Sequence, residues 1–291
     1  MAFQYLRPRT IDEVIKVLDE HGPAARLLSG GTDLLVRLRS GHTRPAIVID
    51  VKRVAELTPS ITEAGGALRV GARVVMTDLV ADARIQRHFR ALVDAARVVG
   101  SVQIRNRATL AGNICNASPA ADTAPALLAY GASVNVAGPS GRRTVPLDDF
   151  FTGPGRTVLQ RGELVESIDL PIPAAPTGGA FGRVTRRWGV DLATINMVVV
   201  LASSGEARCA FGAVAPRPIL TVDTSGVLTT RASDPDARRA AWARLTASAS
   251  PISDVRGGRD YRQAMLEVVG ERTWNVAMDR LDAIRAKDEH S

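Results

Sequence analysis

The stretch Thr109-Leu-Ala-Gly-Asn-Ile-Cys-Asn-Ala-Ser-Pro-Ala-Ala-Asp122 mixes small residues with side-chain hydrogen bonders and shows no apolar period. Such a segment reads as a cradle for a ligand, not as part of a core. Ala111, Gly112, Ala117, Ala120 and Ala121 let a ligand approach backbone N–H groups, while Thr109, Asn113, Asn116, Ser118 and Asp122 supply polar tips. An elongated polar ligand such as a nucleotide diphosphate suits that chemistry. Downstream, Asp122-Thr-Ala-Pro-Ala-Leu-Leu-Ala-Tyr-Gly131 predicts a short helix capped by Asp122, with Pro125 in its first turn and Gly131 at its end. Taken alone, the segment is also compatible with an ordinary loop closed by an Asx turn.

An earlier segment, Ala25 to Gly41, repeats the logic. Leu27 and Leu28 end a strand, Ser29 leads into a tight turn at Gly30 and Gly31, and Thr32 or Asp33 is placed to cap a helix. Leu34, Leu35 and Leu38 form one face of that helix, which stops near Gly41. Unpaired N–H groups and the positive end of the helix dipole converge at such a turn and favour an anion. A lone Gly-Gly turn is a weak signal, because many strand-to-helix turns bind nothing. Neither segment carries the spaced glycines of a dinucleotide fingerprint or a Walker lysine.

Together the two blocks resemble those of the FAD-binding subunit of the xanthine dehydrogenase and aerobic carbon monoxide dehydrogenase family of molybdenum hydroxylases. In that family a Gly-Gly turn followed by Thr or His, and a block Thr-Ile-Gly-Gly-Asn with a downstream Ser-Pro and Asp, hold the FAD. The resemblance gives this role to Ser29, Gly30, Gly31, Thr32, Asp33 and Leu34 in the first block. In the second it gives it to Thr109, Leu110, Ala111, Gly112, Asn113 and Asp122. Ala111 stands where the family usually has the first glycine, so its methyl group is expected to crowd the ligand locally. The likeness continues through Phe150 to Leu159, Gly162 to Pro171, Phe181 to Ala193, Ala210 to Pro218 and Pro251 to Arg262, covering almost the whole chain in order. Leu164 and Val165 by packing, and Arg183 by charge near the ring or the acceptor, are the flavin-side candidates. Strand residues of this kind equally pack cores, and an arginine is equally a solvated charge.

The resemblance implies an α+β protein. Its FAD-binding domain, of PCMH type and vanillyl-alcohol-oxidase-like, consists of two α/β subdomains over residues 1–175. A smaller α+β domain like that of carbon monoxide dehydrogenase flavoproteins follows over residues 176–287. It further implies a non-covalent FAD, an iron–sulfur (small) subunit that delivers electrons, a molybdenum-cofactor (large) subunit that oxidises the substrate, and NAD+, a quinone or another acceptor. No catalytic side chain is expected, since the cofactor carries the electron chemistry. A free-standing flavin oxidase of the vanillyl-alcohol type would need a larger substrate domain and often a His or Cys tether; neither block contains a histidine. A nucleotide-binding module without redox turnover is the reading from another class.

Composition narrows the setting. A net charge of +7 over 291 residues is modest, and its arginines are scattered, which speaks against nucleic-acid binding. The amino terminus mixes charge with proline, and the apolar run Met197–Ala202 is too short for a membrane span, so a cytoplasmic protein is expected. Two cysteines, Cys115 and Cys209, cannot supply the four thiolates of an iron–sulfur cluster, and Cys115 reads as a small buried apolar residue. The four histidines show no metal-ligand spacing, so no metal site is expected.

Helical spacing after Thr10, an apolar run at Ala46–Val51, strands at Leu68–Met76 and Glu163–Leu170, and helices at Thr77 and at Arg90–Val99 organise the first part. Gly138-Pro-Ser-Gly141 is a hairpin signal between Ala132–Ala137 and Arg143–Leu147. Proline and glycine concentrate in Pro171–Gly179, where the domain boundary is expected. Beyond it come strands at Ala180–Arg187, Ala193–Ala202 and Ala207–Val214. Helices follow at Asp234–Ala247 and from Arg259 to about Lys287, the latter with a break expected near Gly270 and a frayed tail at Lys287–Ser291.

Overall fold

The computed structural model describes residues 3–288. The first subdomain contains β1 (Gln4–Leu6), α1 (Ile11–His21), β2 (Ala25–Leu28), α2 (Leu34–Arg39) and β3 (Ile47–Asp50), its strands forming a parallel sheet in the order β1-β3-β2. Thr10 starts α1 as expected: its Oγ1 accepts from the Glu13 N–H at 3.3 Å, while Glu13 Oε2 reaches back to the Arg9 N–H at 2.7 Å. The central strand β3 is buried along its whole length, which explains its unbroken apolar run.

The second subdomain runs through β4 (Ile61–Ala64), β5 (Ala67–Gly71), α3 (Met76–Ala81), α4 (Ala83–His88), α5 (Arg90–Arg97), α6 (Val102–Arg105), α7 (Leu110–Asn116) and α8 (Thr123–Ala129). It closes with β6 (Ser133–Gly138), β7 (Gly141–Pro146), α9 (Leu147–Phe150), β8 (Phe151–Gly153), β9 (Arg156–Thr157) and β10 (Leu164–Pro171). Its main sheet is antiparallel in the order β4-β5-β10-β6-β7, so β10 returns through the middle after the β6–β7 hairpin. That hairpin turns at Gly138–Gly141, as its sequence predicts. One hydrophobic core unites both subdomains.

The C-terminal part is a four-stranded antiparallel meander, β11 (Thr177–Val184), β12 (Ile195–Ala202), β13 (Ala207–Gly212) and β14 (Ile219–Asp223), followed by α10 (Pro235–Leu245) and α11 (Arg259–Asp288). Asp234 caps α10, its Oδ2 accepting from the Ala237 N–H at 3.2 Å, with Pro235 at the first helical position. The expected break at Gly270 does not occur. A Cβ at that position would lie 3.1 Å from the Trp242 indole, so the glycine makes room for a neighbouring helix inside an unbroken α11. Of the tail expected to fray, residues 289–291 lie outside the described residues.

The sheet of the C-terminal part rests on α5 and α8 of the first part. Tyr130, beside α8, stacks edge-on against Phe89 at 5.0 Å and its hydroxyl accepts from the Ala91 N–H at 3.2 Å. A Cβ on Gly179 of β11 would lie 2.2 Å from that hydroxyl, so only glycine lets the strand come this close. Arg208 donates to the Ala129 carbonyl at 2.7 Å, and Arg280 bonds Asp94 at 2.6 Å. Among the described residues no helix is long and apolar enough to cross a membrane.

Candidate functional site

Residues 29–33 turn the chain from β2 into α2. Gly31 has a φ of +77°, the left-handed region that favours glycine, and a Cβ there would also meet the Leu28 and Leu35 side chains at 2.8 and 3.3 Å. Among the described residues the amides of Gly31, Thr32 and Asp33 have no protein acceptor and remain available to a ligand. Asp33 stands at the N-cap position of α2 without making a side-chain cap bond; its Oδ1 instead accepts from Asn116 Nδ2 at 3.4 Å. The expected apolar face of α2 is only partly buried: Leu38 is, Leu34 is half-buried and Leu35 is exposed.

The second block is not the loop its composition suggests. Leu110–Asn116 form the helix α7, started by Thr109, whose Oγ1 accepts from the Gly112 N–H at 3.0 Å. Leu110, Ala111 and Ile114 bury one face of α7 while Gly112 and Cys115 are exposed on the other. Cys115 is therefore not the buried apolar residue expected. The Ala111 methyl points into the core, which removes the expected crowding of a ligand by this departure from Gly-Gly. Asn113 uses its side-chain carbonyl to accept from Thr123 Oγ1 at 2.7 Å, leaving its amide nitrogen without a partner among the described residues.

Folding brings the two blocks into contact. A Cβ on Gly30 would lie 2.0 Å from the Arg107 carbonyl oxygen, so the first turn lies directly against the backbone that leads into Thr109. A cavity of about 150 Å³ opens between them, lined by Ser29, Gly30, Lys52, Arg73, Asn106, Arg107 and Thr109 among others. Sequence reading missed Lys52, Arg73, Asn106 and Arg107. Lys52 holds the buried Asp50 at 2.6 Å, Arg73 donates to the carbonyls of Val54 and Leu57, and neither Arg73 nor Arg107 pairs with a carboxylate among the described residues. Guanidinium groups without carboxylate partners make an electropositive recess, next to the free amides of residues 31–33, that a pyrophosphate complements. A larger hollow of about 420 Å³ lies elsewhere, between residues 148–153 and 215–220, and contains no predicted site residue.

Asp122 departs from its expected role. It occupies the N-cap position of α8 in a helical conformation without a cap bond, whereas Pro125 in the first turn and Gly131, at φ +68° beyond Ala129, stand as predicted at this helix. The Asp122 carboxylate faces the C-terminal part instead, accepting from Asn196 Nδ2 at 2.9 Å and Arg183 Nη1 at 3.1 Å. Burial pushes this carboxyl up to about 6, against the lowering influence of Asn196 and Arg183. Arg183 is thus not a solvated surface charge; it is the partner of Asp122. Leu164 and Val165 are buried in the core opposite Ala137 and Val136, and neither lines the cavity between the blocks.

Residues 1–173 match the FAD binding domain in molybdopterin dehydrogenase, and residues 180–277 match the CO dehydrogenase flavoprotein C-terminal domain. The carbon monoxide dehydrogenase medium chain of Hydrogenophaga pseudoflava is 34% identical over 282 residues, spanning 96% of this chain and 98% of that relative. The xanthine dehydrogenase FAD-binding subunit of Escherichia coli O157:H7 is 31% identical over 279 residues, spanning 94% of this chain and 95% of that subunit. A solved carbon monoxide dehydrogenase from Hydrogenophaga pseudoflava superposes with a TM-score of 0.89 at 34% identity, covering 97% of this chain and 99% of that one.

Proposed function

The chain belongs to the family of FAD-binding subunits of molybdopterin dehydrogenases, and from that premise we propose that it collects electrons from an iron–sulfur subunit inside a three-subunit molybdenum hydroxylase and passes them to NAD+, a quinone or another acceptor. The observation that carries this reading is the close contact of Gly30 with the Arg107 backbone, which brings Ser29, Gly30, Lys52, Arg73, Arg107 and Thr109 around one cavity, next to the free amides of residues 31–33. The residues present fit an FAD: the recess between the blocks complements its pyrophosphate, and Asn113, with a free side-chain amide, lies further along the same segment to orient its polar chain, while Asp122 anchors the end of that segment to Asn196 and Arg183. When bound, FAD supplies the ability to take up two electrons and release them to an acceptor.

The protein's own task is then to hold and orient. Amides of Gly31, Thr32 and Asp33 receive the anionic centre, Thr109 fixes the start of α7, and the buried core behind Leu110, Ala111 and Leu164 keeps that helix in place. With two cysteines the chain lacks the ligands of a cluster, so electrons enter from another subunit. Co-expression with adjacent iron–sulfur and molybdenum subunits tests the proposal. A single assembly containing all three chains is expected, with bleaching of its flavin by carbon monoxide, xanthine or a heteroaromatic substrate only when both partners are present. Bleaching of the isolated chain's flavin by such a substrate would instead identify a self-contained oxidase.

A further inference from the structure

The turn between α7 and α8 is held in part from outside its own domain. Ala117 begins it in the left-handed region at φ +46°, and Gly155 of the β8–β9 hairpin donates to the Ala117 carbonyl at 2.9 Å. The next carbonyls depend on the C-terminal domain. Pro119 accepts from the Ala213 N–H at 2.6 Å, and Ala121 accepts from Asn196 Nδ2 at 3.4 Å, the same amide that bonds Asp122. Inside the turn the Ala121 N–H donates to the Ser118 carbonyl at 3.0 Å and the Ala120 N–H to Ser118 Oγ at 3.3 Å, while the carbonyls of Pro119 and Ala121 find their partners only on the docked C-terminal surface.

The donor at Ala213 is itself constrained. Ala213 sits at φ +62°, a conformation costly for a residue with a Cβ, and its carbonyl accepts from Arg262 Nη1 at 2.8 Å. Arg262 is 3% exposed in the first turn of α11 and is fixed in turn by Asp254 at 2.6 Å. A bonded path therefore runs from α11 through one residue, Ala213, to Pro119. Asn196 is fully buried on β12 opposite Arg183, and no Cβ fits on Gly212 beside it, because that atom would lie 2.1 Å from Asn196 Oδ1.

We infer that Asn196 and Arg262 are positioning residues of the cofactor site: from the C-terminal domain they clamp the Pro119–Asp122 turn and so set the placement of Asp122 relative to Asn113, without themselves lining the cradle. The C-terminal domain thereby controls flavin affinity through the backbone of the first domain. This rests on the reading of the cradle as the FAD site.

The test titrates FAD into the flavin-stripped full-length chain, following flavin fluorescence, with folding stability measured separately by urea. Asn196→Leu and Arg262→Gln should each weaken FAD binding by roughly ten-fold, the effect of one lost buried hydrogen bond relayed to the site. The milder Arg262→Lys keeps a charge beside Asp254 and should lie between them and the wild type. Trp274→Phe removes a bond from Trp274 Nε1 to the Leu228 carbonyl inside the same C-terminal core and serves as the control for general loosening. Its stability should fall while its FAD affinity stays at the wild-type value. Wild-type affinity in the Asn196 and Arg262 variants, or an equal loss in the control, overturns the positioning role while leaving the FAD site intact. Failure of the wild-type chain to bind FAD overturns both.

Discussion

Replacing Gly30 by alanine puts the contact between the two blocks under direct strain. The added methyl carbon would lie 2.0 Å from the Arg107 carbonyl oxygen, 2.8 Å from its carbon and 3.2 Å from the Ala108 Cα. All three are backbone atoms, so no side chain can swing aside, and the blocks must separate by about 1 Å to reach a tolerable distance. Overpacking of this kind costs roughly 1–3 kcal/mol of folding stability. The same displacement moves the amides of Gly31, Thr32 and Asp33 away from Thr109 and Asn113, and losing one or two cofactor hydrogen bonds should weaken FAD by roughly ten- to hundred-fold. Gly258→Ala is the control, because a Cβ there meets nothing within 4 Å. Urea denaturation reads the stability and quenching of FAD fluorescence reads the affinity. Wild-type values of both in Gly30→Ala would refute the argument that this contact builds the site.

Asn113→Ala and Asp122→Ala should each weaken FAD by roughly one to two orders of magnitude while far-UV circular dichroism stays native; unchanged affinity in both would reduce these side chains to partners of Thr123, Asn196 and Arg183. The buried Asp122 carboxyl also makes the stability of the flavin-free chain depend on pH. Its folded pKa of about 6 lies above the ordinary 3.8, so between those values the folded chain binds more protons than the unfolded one. The stabilisation is present in full below that window and is lost as the pH rises through it, on the order of 3 kcal/mol at about 1.4 kcal/mol per pKa unit. Asp122→Asn should flatten the slope in urea titrations across this range, and a slope as steep as the wild type's contradicts the assignment.

Much of the fold can be read from local signals. Thr10 and Asp234 cap helices because a short polar side chain precedes an apolar period, and Gly138–Gly141 turns a hairpin between two strand runs. The two blocks at residues 29–34 and 109–122 stand out because glycines and small polar residues break any simple apolar run there. Helix α7 was hidden by that composition, although Leu110, Ala111, Ile114 and Ala117 already stand at helical spacing and Thr109 at a cap. The role of Asp122 had no local signature. Its partners Arg183 and Asn196 lie 61 and 74 residues downstream and meet it only when the C-terminal sheet docks. Lys52, Arg73 and Arg107 escaped for the same reason: their charges gain meaning from convergence on one recess, which no spacing along the chain announces. Gly270 misled in the opposite direction, because a glycine that suggests a helix break locally accommodates Trp242 in the tertiary structure.

The central claim is that this chain holds one FAD, non-covalently, in the groove between residues 29–33 and 109–122. The direct measurement is the flavin content of the purified full-length chain after incubation with excess FAD and removal of unbound cofactor, followed by acid precipitation and mass spectrometry of both fractions. One FAD per chain, released intact into the supernatant and leaving a protein of unmodified mass, is the predicted result. A chain that retains no flavin, or a flavin that stays covalently attached to the precipitate, would contradict the account.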